Sequence, residues 1–231
     1  MSTRMVEVRA KVMKQNDLLA HALRERFQQQ NTCVIGLVSS PGSGKTAFLE
    51  KLLAGLARDH RVAALVGDLA TENDAVRLQR ATPNVKQITT GTICHLDASM
   101  IERALEDWRP GATDFLFIEN VGNLVCPSSY DLGEELRFVL LSATEGEDKP
   151  LKYPTIFNSS DVAIITKMDM ADAAEFDLAA ARRNIESVRP GMKIFEVSSK
   201  TGQGMEEVFS FLLAQVAHSR TPVPILEEAA Q

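Results

Sequence analysis

Eight consecutive residues, Ser39-Ser40-Pro41-Gly42-Ser43-Gly44-Lys45-Thr46, bring together what is needed to hold a chain of phosphates. A glycine-rich turn exposes several backbone N–H groups, and a helix N-terminus behind them adds a partial positive charge. Lys45 can reach the outer phosphates, and the Thr46 hydroxyl can ligate Mg²⁺. An apolar run, Cys33-Val34-Ile35-Gly36-Leu37-Val38, precedes the turn, and a helix-like run opening at Ala47 follows it. That strand–turn–helix setting is the one a P-loop requires. Pro41, Gly42, Ser43, Gly44, Lys45, Thr46 and Ala47 are therefore the expected phosphate contacts. The first Gly of G-x-x-x-x-G-K-[ST] is Ser39 here.

Three acids have types and places that suit the same site. Asp68 closes one apolar run and Glu119 another. Two strand-end carboxylates beside a P-loop suit Mg²⁺, which keeps octahedral oxygen ligation and uses few protein carboxylates. Each could instead cap a strand or the helix after it. Asp74 could orient an attacking water, or sit in the first turn of its helix. Lys45, Asp68 and Asp74 are the candidate catalytic groups.

Two further stretches read a base. Thr166-Lys167-Met168-Asp169 and Ser198-Ser199-Lys200 each follow an apolar run and resemble the guanine-reading signatures N-K-x-D and S-A-K. A carboxylate at Asp169 can accept from both N1–H and N2–H₂ of guanine. Adenine lacks that donor pair, so a buried carboxylate discriminates strongly. Lys167 and Lys200 can flank the base plane, and Thr166 keeps a hydroxyl where an amide is usual.

Cys94-His95 and Cys126 form a third set. Two thiolates and an imidazole suit Ni²⁺, Zn²⁺ or copper, and not Mg²⁺. Three ligands leave a tetrahedral site one short, to be completed by water or by a second protomer. Small buried thiols are also common without any metal, and Cys33, inside the first apolar run, fits that description.

The elements that must position these residues alternate along the chain. Strand-like runs fall at 33–38, 61–67, 85–89, 113–119, 136–144, 161–166 and 193–197. Helical periodicity covers 5–30, 73–80, 97–107, 172–188 and 204–218. Near-continuous apolar strands separated by helices predict an α/β fold: a mostly parallel sheet of about seven strands with helices on both faces. Ligands of such sheets bind outside the carboxyl ends of the strands, where every motif above falls. The expected organisation is an N-terminal helix packing on the core (1–30), one P-loop domain (31–220) and a tail (221–231). A net charge of −6 over 231 residues argues against a nucleic-acid binder that relies on a basic surface. The apolar runs are too short to span a bilayer and the start carries no apolar signal core, which predicts a cytoplasmic protein without membrane partners. Three cysteines do not read as a disulfide framework.

Longer motifs carry a specific resemblance. Glu119-Asn120-Val121-Gly122-Asn123-Leu124-Val125-Cys126-Pro127, Asp131-Leu132-Gly133-Glu134 and Thr144-Glu145-Gly146-Glu147-Asp148-Lys149-Pro150-Leu151-Lys152-Tyr153-Pro154 resemble the HypB family, the nickel-incorporation GTPases of hydrogenase maturation. The P-loop and Cys94-His95-Leu96-Asp97-Ala98 match as well, so the resemblance spans roughly residues 5 to 215. It implies a P-loop GTPase of the SIMIBI class that binds GTP or GDP with Mg²⁺, hydrolyses GTP slowly and dimerises with GTP. Its implied partners are itself, a nickel-accessory protein and a hydrogenase large-subunit precursor. Cys94, His95 and Cys126 would hold nickel, or zinc in the same site. Lys45 and Thr46 would serve phosphate and Mg²⁺, with Asp68 and Glu119 around the ion, and residues 145–153 would face the partner protomer. The chain departs from some members at several places. No cysteine precedes Cys33, so an N-terminal C-x-x-C-G-C nickel motif is absent, and the four histidines are scattered rather than clustered. Ser99 and Arg103 stand where some members carry histidines, and Thr92 where Lys is frequent. Nickel storage is therefore not expected. The alternative reading is a guanine-nucleotide switch with a structural or vestigial Cys/His site. A small-molecule kinase leaves the guanine motifs without a role.

Overall fold

The computed structural model describes residues 3–69 and 73–219. The tail expected at 221–231 lies outside the described residues. Seven strands form one parallel sheet in the order β3-β2-β4-β1-β5-β6-β7. They are β1 (Cys33–Ser39), β2 (Val62–Asp68), β3 (Val85–Thr89), β4 (Phe115–Glu119), β5 (Leu136–Ser142), β6 (Val162–Thr166) and β7 (Lys193–Glu196). The helices between them are α1 (Thr3–Gln29), α2 (Lys45–Leu56), α3 (Asn73–Leu78), α4 (Ala98–Asp107), α5 (Lys149–Lys152), α6 (Pro154–Asn158), α7 (Leu178–Val188) and α8 (Met205–Ser219). Among the described residues no helix is long and apolar enough to cross a membrane.

Strand side chains alternate between the two faces, so an apolar strand must be covered on both sides. Ile35, Leu37, Phe117 and Phe138 pack with Phe48, Leu52 and Leu53 of α2 and Val208 and Leu212 of α8. The neighbouring positions Val34, Leu65, Leu116 and Ile118 face the other way, against Leu23 and Phe27 of α1 and Ile101 and Leu105 of α4. Further along that second face, Val139, Leu141, Ala163 and Ile165 meet Ile156, Phe157 and Ile185. The expected helices on both faces are thus present. β1 is central, paired with β4 (Leu37 opposite Glu119) and β5 (Leu37 opposite Phe138). This places the P-loop next to the Glu119 end of β4 at one sheet edge.

Helix α1 reaches the same edge through a fixed clamp. Gly133 has a φ of +83°, and a Cβ there would come within 2.8 Å of Leu23 Cβ and 2.9 Å of Ala20 O, so the turn at 131–134 accepts the helix only as glycine. Arg24 donates to both oxygens of Asp131 at 2.6 and 2.7 Å. Asn16 donates to Asp131 O and accepts from Ala98 N, the first residue of α4. Behind them, buried Arg137 pairs with Glu134. The Asp131-Leu132-Gly133-Glu134 motif is therefore the seat of α1.

Two element bounds and two short helices depart most from expectation. The helix expected at 172–188 begins only at Leu178. A 3₁₀ turn at Met168–Met170 and a positive φ of 52° at Glu175 interrupt the backbone, and Asp177 then caps α7 by accepting from Ala180 N. The strand expected to reach Thr144 stops at Ser142, whose hydroxyl accepts from Thr144 N and opens a 3₁₀ turn at Ala143–Glu145. Helices α5 and α6 occupy a stretch where the sequence pattern gave no element. Each is five residues or fewer, too short for 3.6-residue periodicity to register.

Candidate nucleotide and metal site

The P-loop is formed as expected, with Gly42 and Gly44 at φ of 74° and 92°. These left-handed positions turn the backbone so that N–H groups converge ahead of α2. Lys45 is buried, and its Nζ donates to Ser39 Oγ at 2.9 Å. Ser43 Oγ donates to the same Ser39 oxygen at 2.5 Å, and Ser39 Oγ donates onward to Ser40 O. The serine that replaces the first glycine thus docks the lysine. Burial lowers the Lys45 pKa, while Glu119, Asp74, Glu145 and Asp68 act to raise it. Ser40 Oγ donates to Glu145 Oε2 at 2.7 Å, tying the loop after β5 to the P-loop. A cleft of about 420 Å³ opens here, lined by Pro41, Lys45, Thr46, Asp68, Asp74 and Glu119 among others. It has room for a phosphate chain, and it collects the three acids expected around the cation and the attacking water, Asp68, Asp74 and Glu119.

Glu119 is the buried acid of this cleft, 3% exposed. Its Oε1 accepts from the Thr46 hydroxyl at 2.8 Å, and its Oε2 is buried with no hydrogen-bond partner among the described residues. Burial pushes its pKa up to about 7, against the Lys45 charge and the Thr46 bond, with Asp74 and Asp68 pushing it further up. An orphaned carboxylate oxygen beside a P-loop threonine fits a hard divalent cation, with Asp68 and Asp74 lining the same cleft. Asp68 lies at the end of β2 and its Oδ1 accepts from Leu69 N. Asp74 lies in the first turn of α3, in agreement with the second of its two sequence readings.

A raised carboxyl pKa gives a signed expectation. The Glu119 proton is held more tightly in the folded chain than in the unfolded one, so stability present below pH 4.5 is lost as pH rises through about 7. The loss approaches roughly 3 kcal/mol when neither nucleotide nor divalent cation is present. Thermal melts from pH 5 to 8 should fall more steeply for the parent chain than for Glu119→Gln. Parallel curves for the two proteins would remove this assignment.

The base-reading residues divide into two tasks. Thr166 is buried and its hydroxyl donates to Ser43 O at 2.6 Å, so it locks β6 to the P-loop rather than offering itself to a base. Lys167 has a φ of 57° and its Nζ donates to Gly42 O at 2.7 Å, lying across the P-loop. Asp169 is the remaining reader. Ser198 Oγ donates to its Oδ1 at 2.7 Å, and exposed Lys200 stands 4.0 Å from its Oδ2. Ser199, half-buried, links these two neighbours. The two motifs, expected to act together from loops after β6 and β7, do meet.

The Cys/His set also meets. Cys94, His95 and Cys126 place one ligand atom each within 4.8 Å of the others, and the two Sγ atoms are 3.0 Å apart. His95 stacks on Tyr130 with ring centroids 4.0 Å apart. Its Nδ1 is buried without a hydrogen-bond partner among the described residues, and burial lowers its pKa against the pull of Asp97. The imidazole is therefore held neutral and ready to ligate. Cys33 takes no part: it is buried in β1, and burial pushes its thiol pKa up. Ser99 Oγ donates to Asp97, the N-cap of α4, and Arg103 Nε donates to Ser99 O. Ser99 and Arg103 are thus spent on the helix start, and among the described residues the donor set stays at three.

Sequence reasoning missed the residues that join these two sites. Asn120 Oδ1 accepts from Leu96 N at 3.0 Å and Val121 N at 2.9 Å. Asn123 donates to Cys94 O at 3.3 Å and accepts from Val125 N at 2.8 Å. A Cβ on Gly122 would meet Pro41 Cα at 2.9 Å, so the loop bearing Cys126 lies directly on the P-loop. The only available signal was that the quoted run after Glu119 is rich in short polar and glycine residues, which favour side-chain-to-backbone turns.

Residues 33–196 match the family described as "CobW/HypB/UreG, nucleotide-binding domain". A hydrogenase maturation factor HypB from Azotobacter chroococcum is 41% identical over 230 residues, covering 99% of this chain and 75% of that one. The crystal structure of HypB from Helicobacter pylori in complex with nickel superposes with a TM-score of 0.83 at 43% identity, covering 90% of this chain and 98% of that one. HypB from Archaeoglobus fulgidus does so with a TM-score of 0.82 at 36% identity, covering 88% and 99%. Identity of this depth over almost the whole length, on a shared fold, makes this chain a member of the HypB family of hydrogenase maturation factors.

Proposed function

We propose that this protein is a GTP-hydrolysing nickel metallochaperone of the cytoplasm. It helps insert nickel into a [NiFe]-hydrogenase precursor, and GTP-dependent dimerisation is coupled to metal binding. One observation carries this reading. The loop that starts at Glu119, beside Thr46 of the P-loop, ends at Cys126, 3.0 Å from Cys94. Nickel is the cargo, held by two thiols and a neutral imidazole, a donor set suited to a borderline-soft cation. Zinc suits the same donors. The nucleotide cradle consists of Pro41 to Ala47, with Asp169, Ser198, Ser199 and Lys200 at the base end and Thr166 and Lys167 bracing the loop between. Mg²⁺, held by Thr46 and Glu119 with Asp68 nearby, would supply charge neutralisation at the phosphates. The protein's own part is to orient the triphosphate, with Lys45 on its outer oxygens and Asp68 or Asp74 positioned for water. The arginine that lines this cleft, Arg77, is engaged by Glu50 rather than directed at the outer phosphates, which is consistent with slow unassisted hydrolysis. Three ligands on one chain suit completion of the metal site across a dimer, with residues 145–153 facing the second protomer. A nickel-accessory protein and the hydrogenase precursor complete the set of partners.

The test is a nickel titration of the full chain with GDP and with a non-hydrolysable GTP analogue, read by thiolate-to-nickel absorption and by sizing. A band and a dimer that depend on the nucleotide are expected. Cys94→Ala should weaken nickel at least about a hundredfold, since one of three donors is lost from a site whose binding energy is shared among few ligands. No band in either nucleotide state would leave only the guanine-nucleotide switch.

A further inference from the structure

Two buried or half-buried carboxamides stand between the nucleotide cleft and the thiols, and they do different jobs. The backbone N–H of Asn120 donates to Leu37 O at 2.9 Å, on the strand that leads into the P-loop. Its side chain is 2% exposed, and Oδ1 accepts from Leu96 N, 24 residues away. Leu96 directly follows His95. Its own side chain is fully buried and lies so near Gly67 that a Cβ there would meet it at 2.7 Å. Asn120 directly follows Glu119, whose carboxylate takes the Thr46 hydroxyl. The backbone behind His95 thus hangs from a carboxamide one peptide away from the carboxylate of the cation site. Asn123 bonds the backbone of both thiol loops, at Cys94 O and Val125 N.

The covalent path from Glu119 runs only to Cys126. A shift of the β4 end carried along that path would, through Asn123, move Cys126 and Cys94 together and keep their spacing. The hydrogen bond from Leu96 N to Asn120 is what ties the backbone next to His95 to the Glu119 end, so that the imidazole can change place relative to the two thiols. A buried amide of this kind is either paired or strongly unfavourable, so the link behaves as a two-position contact rather than a soft one.

We propose that Asn120 is the positioning residue that transmits nucleotide state to His95, whereas Asn123 fixes the spacing of the two thiol loops in every state. This rests on the nucleotide-coupled metal reading above. Removing Asn120 uncouples the sites, and removing Asn123 weakens the metal without uncoupling it.

The experiment is a Ni²⁺ titration of the full chain with GDP and with a non-hydrolysable GTP analogue, repeated for Asn120→Ala and Asn123→Ala. The quantity read is the ratio of the two nickel dissociation constants. The parent ratio should differ from one by about tenfold or more, within the usual range of such couplings. Asn120→Ala should bring it to within about twofold of one, while nickel binding persists. Asn123→Ala should weaken nickel about tenfold or more in both states and leave the ratio intact. A parent-like ratio in Asn120→Ala overturns the inference alone. A ratio of one in the parent overturns the coupling itself. A second measurement needs no variant: amide hydrogen exchange at Leu96 should differ about tenfold or more between the two nucleotide states. Equal exchange at Leu96, in a chain whose nickel affinity does change with nucleotide, also overturns the role of Asn120.

Discussion

Lys45→Ala should abolish most triphosphate binding and lower GTP turnover by on the order of a hundredfold to a thousandfold, the scale seen when one preorganised donor to developing charge is removed. The argument starts from where the side chain lies. Lys45 is 8% exposed and its Nζ is within hydrogen-bond distance of Ser39 Oγ, at the floor of the cleft. Burial already disfavours its charge, and four acids, Glu119, Asp74, Glu145 and Asp68, oppose that effect. Without Lys45 the cleft would hold those acids with no buried cation between them, and a nucleotide bringing three or four more negative charges would meet backbone dipoles and two more peripheral cations, Arg77, paired with Glu50, and Lys167, which lies across the P-loop. Lys45→Arg should not restore activity, because a planar guanidinium does not fit a cradle built for a point charge against a single serine oxygen. Calorimetric titration with a non-hydrolysable analogue and a phosphate-release assay would check both variants. Turnover of Lys45→Ala within about tenfold of the parent would contradict the P-loop assignment.

The order of strands and helices was legible because the chemistry of a doubly covered parallel sheet is written locally. A strand such as Phe115-Leu116-Phe117-Ile118 must be buried on both faces, and its apolar run says so. The motif residues were legible for a related reason: each falls at or shortly after the end of a strand, and all strands here run parallel toward one edge. What stayed hidden is what depends on distant partners. Thr166 looked like a base-reading residue, but its hydroxyl bonds to Ser43 O, 123 positions away. Ser39 looked like a loss from the P-loop pattern, yet it holds the lysine. Asn120 and Asn123 carried no spacing signal at all, because their partners lie on a loop more than twenty residues upstream. Tyr130 was unremarked as the stacking partner of His95 for the same reason. The false start of α7 is a local failure of another kind: Ala171 and Ala173-Ala174 favour a helix, and only the positive φ at Glu175 and the cap at Asp177 show that it begins later.

Asp169→Asn should change the ratio of affinities for GTP and xanthosine triphosphate by about ten-thousandfold, in favour of the xanthine nucleotide. Guanine presents two donors, N1–H and N2–H₂, and needs two acceptor oxygens. Xanthine presents N1–H beside a carbonyl oxygen and needs one acceptor and one donor. The environment of Asp169 decides which way a replacing carboxamide would turn. Ser198 Oγ donates to Oδ1 at 2.7 Å, so an Asn carbonyl would keep that place, and its NH₂ would take the position of Oδ2. That group would then face the base edge, next to the Lys200 ammonium, now 4.0 Å from Oδ2. The side chain of Asp169 is 16% exposed, so water offers little compensation for a mismatched pair. The Thr166 and Lys167 contacts to the P-loop do not involve the carboxylate, so overall nucleotide affinity should survive in its new preference. Competition between the two triphosphates on the parent and the variant measures the ratio directly. A variant that still prefers GTP to within about tenfold of the parent would show that the base is read elsewhere, and Asp169 would then be no more than the partner that orders Ser198.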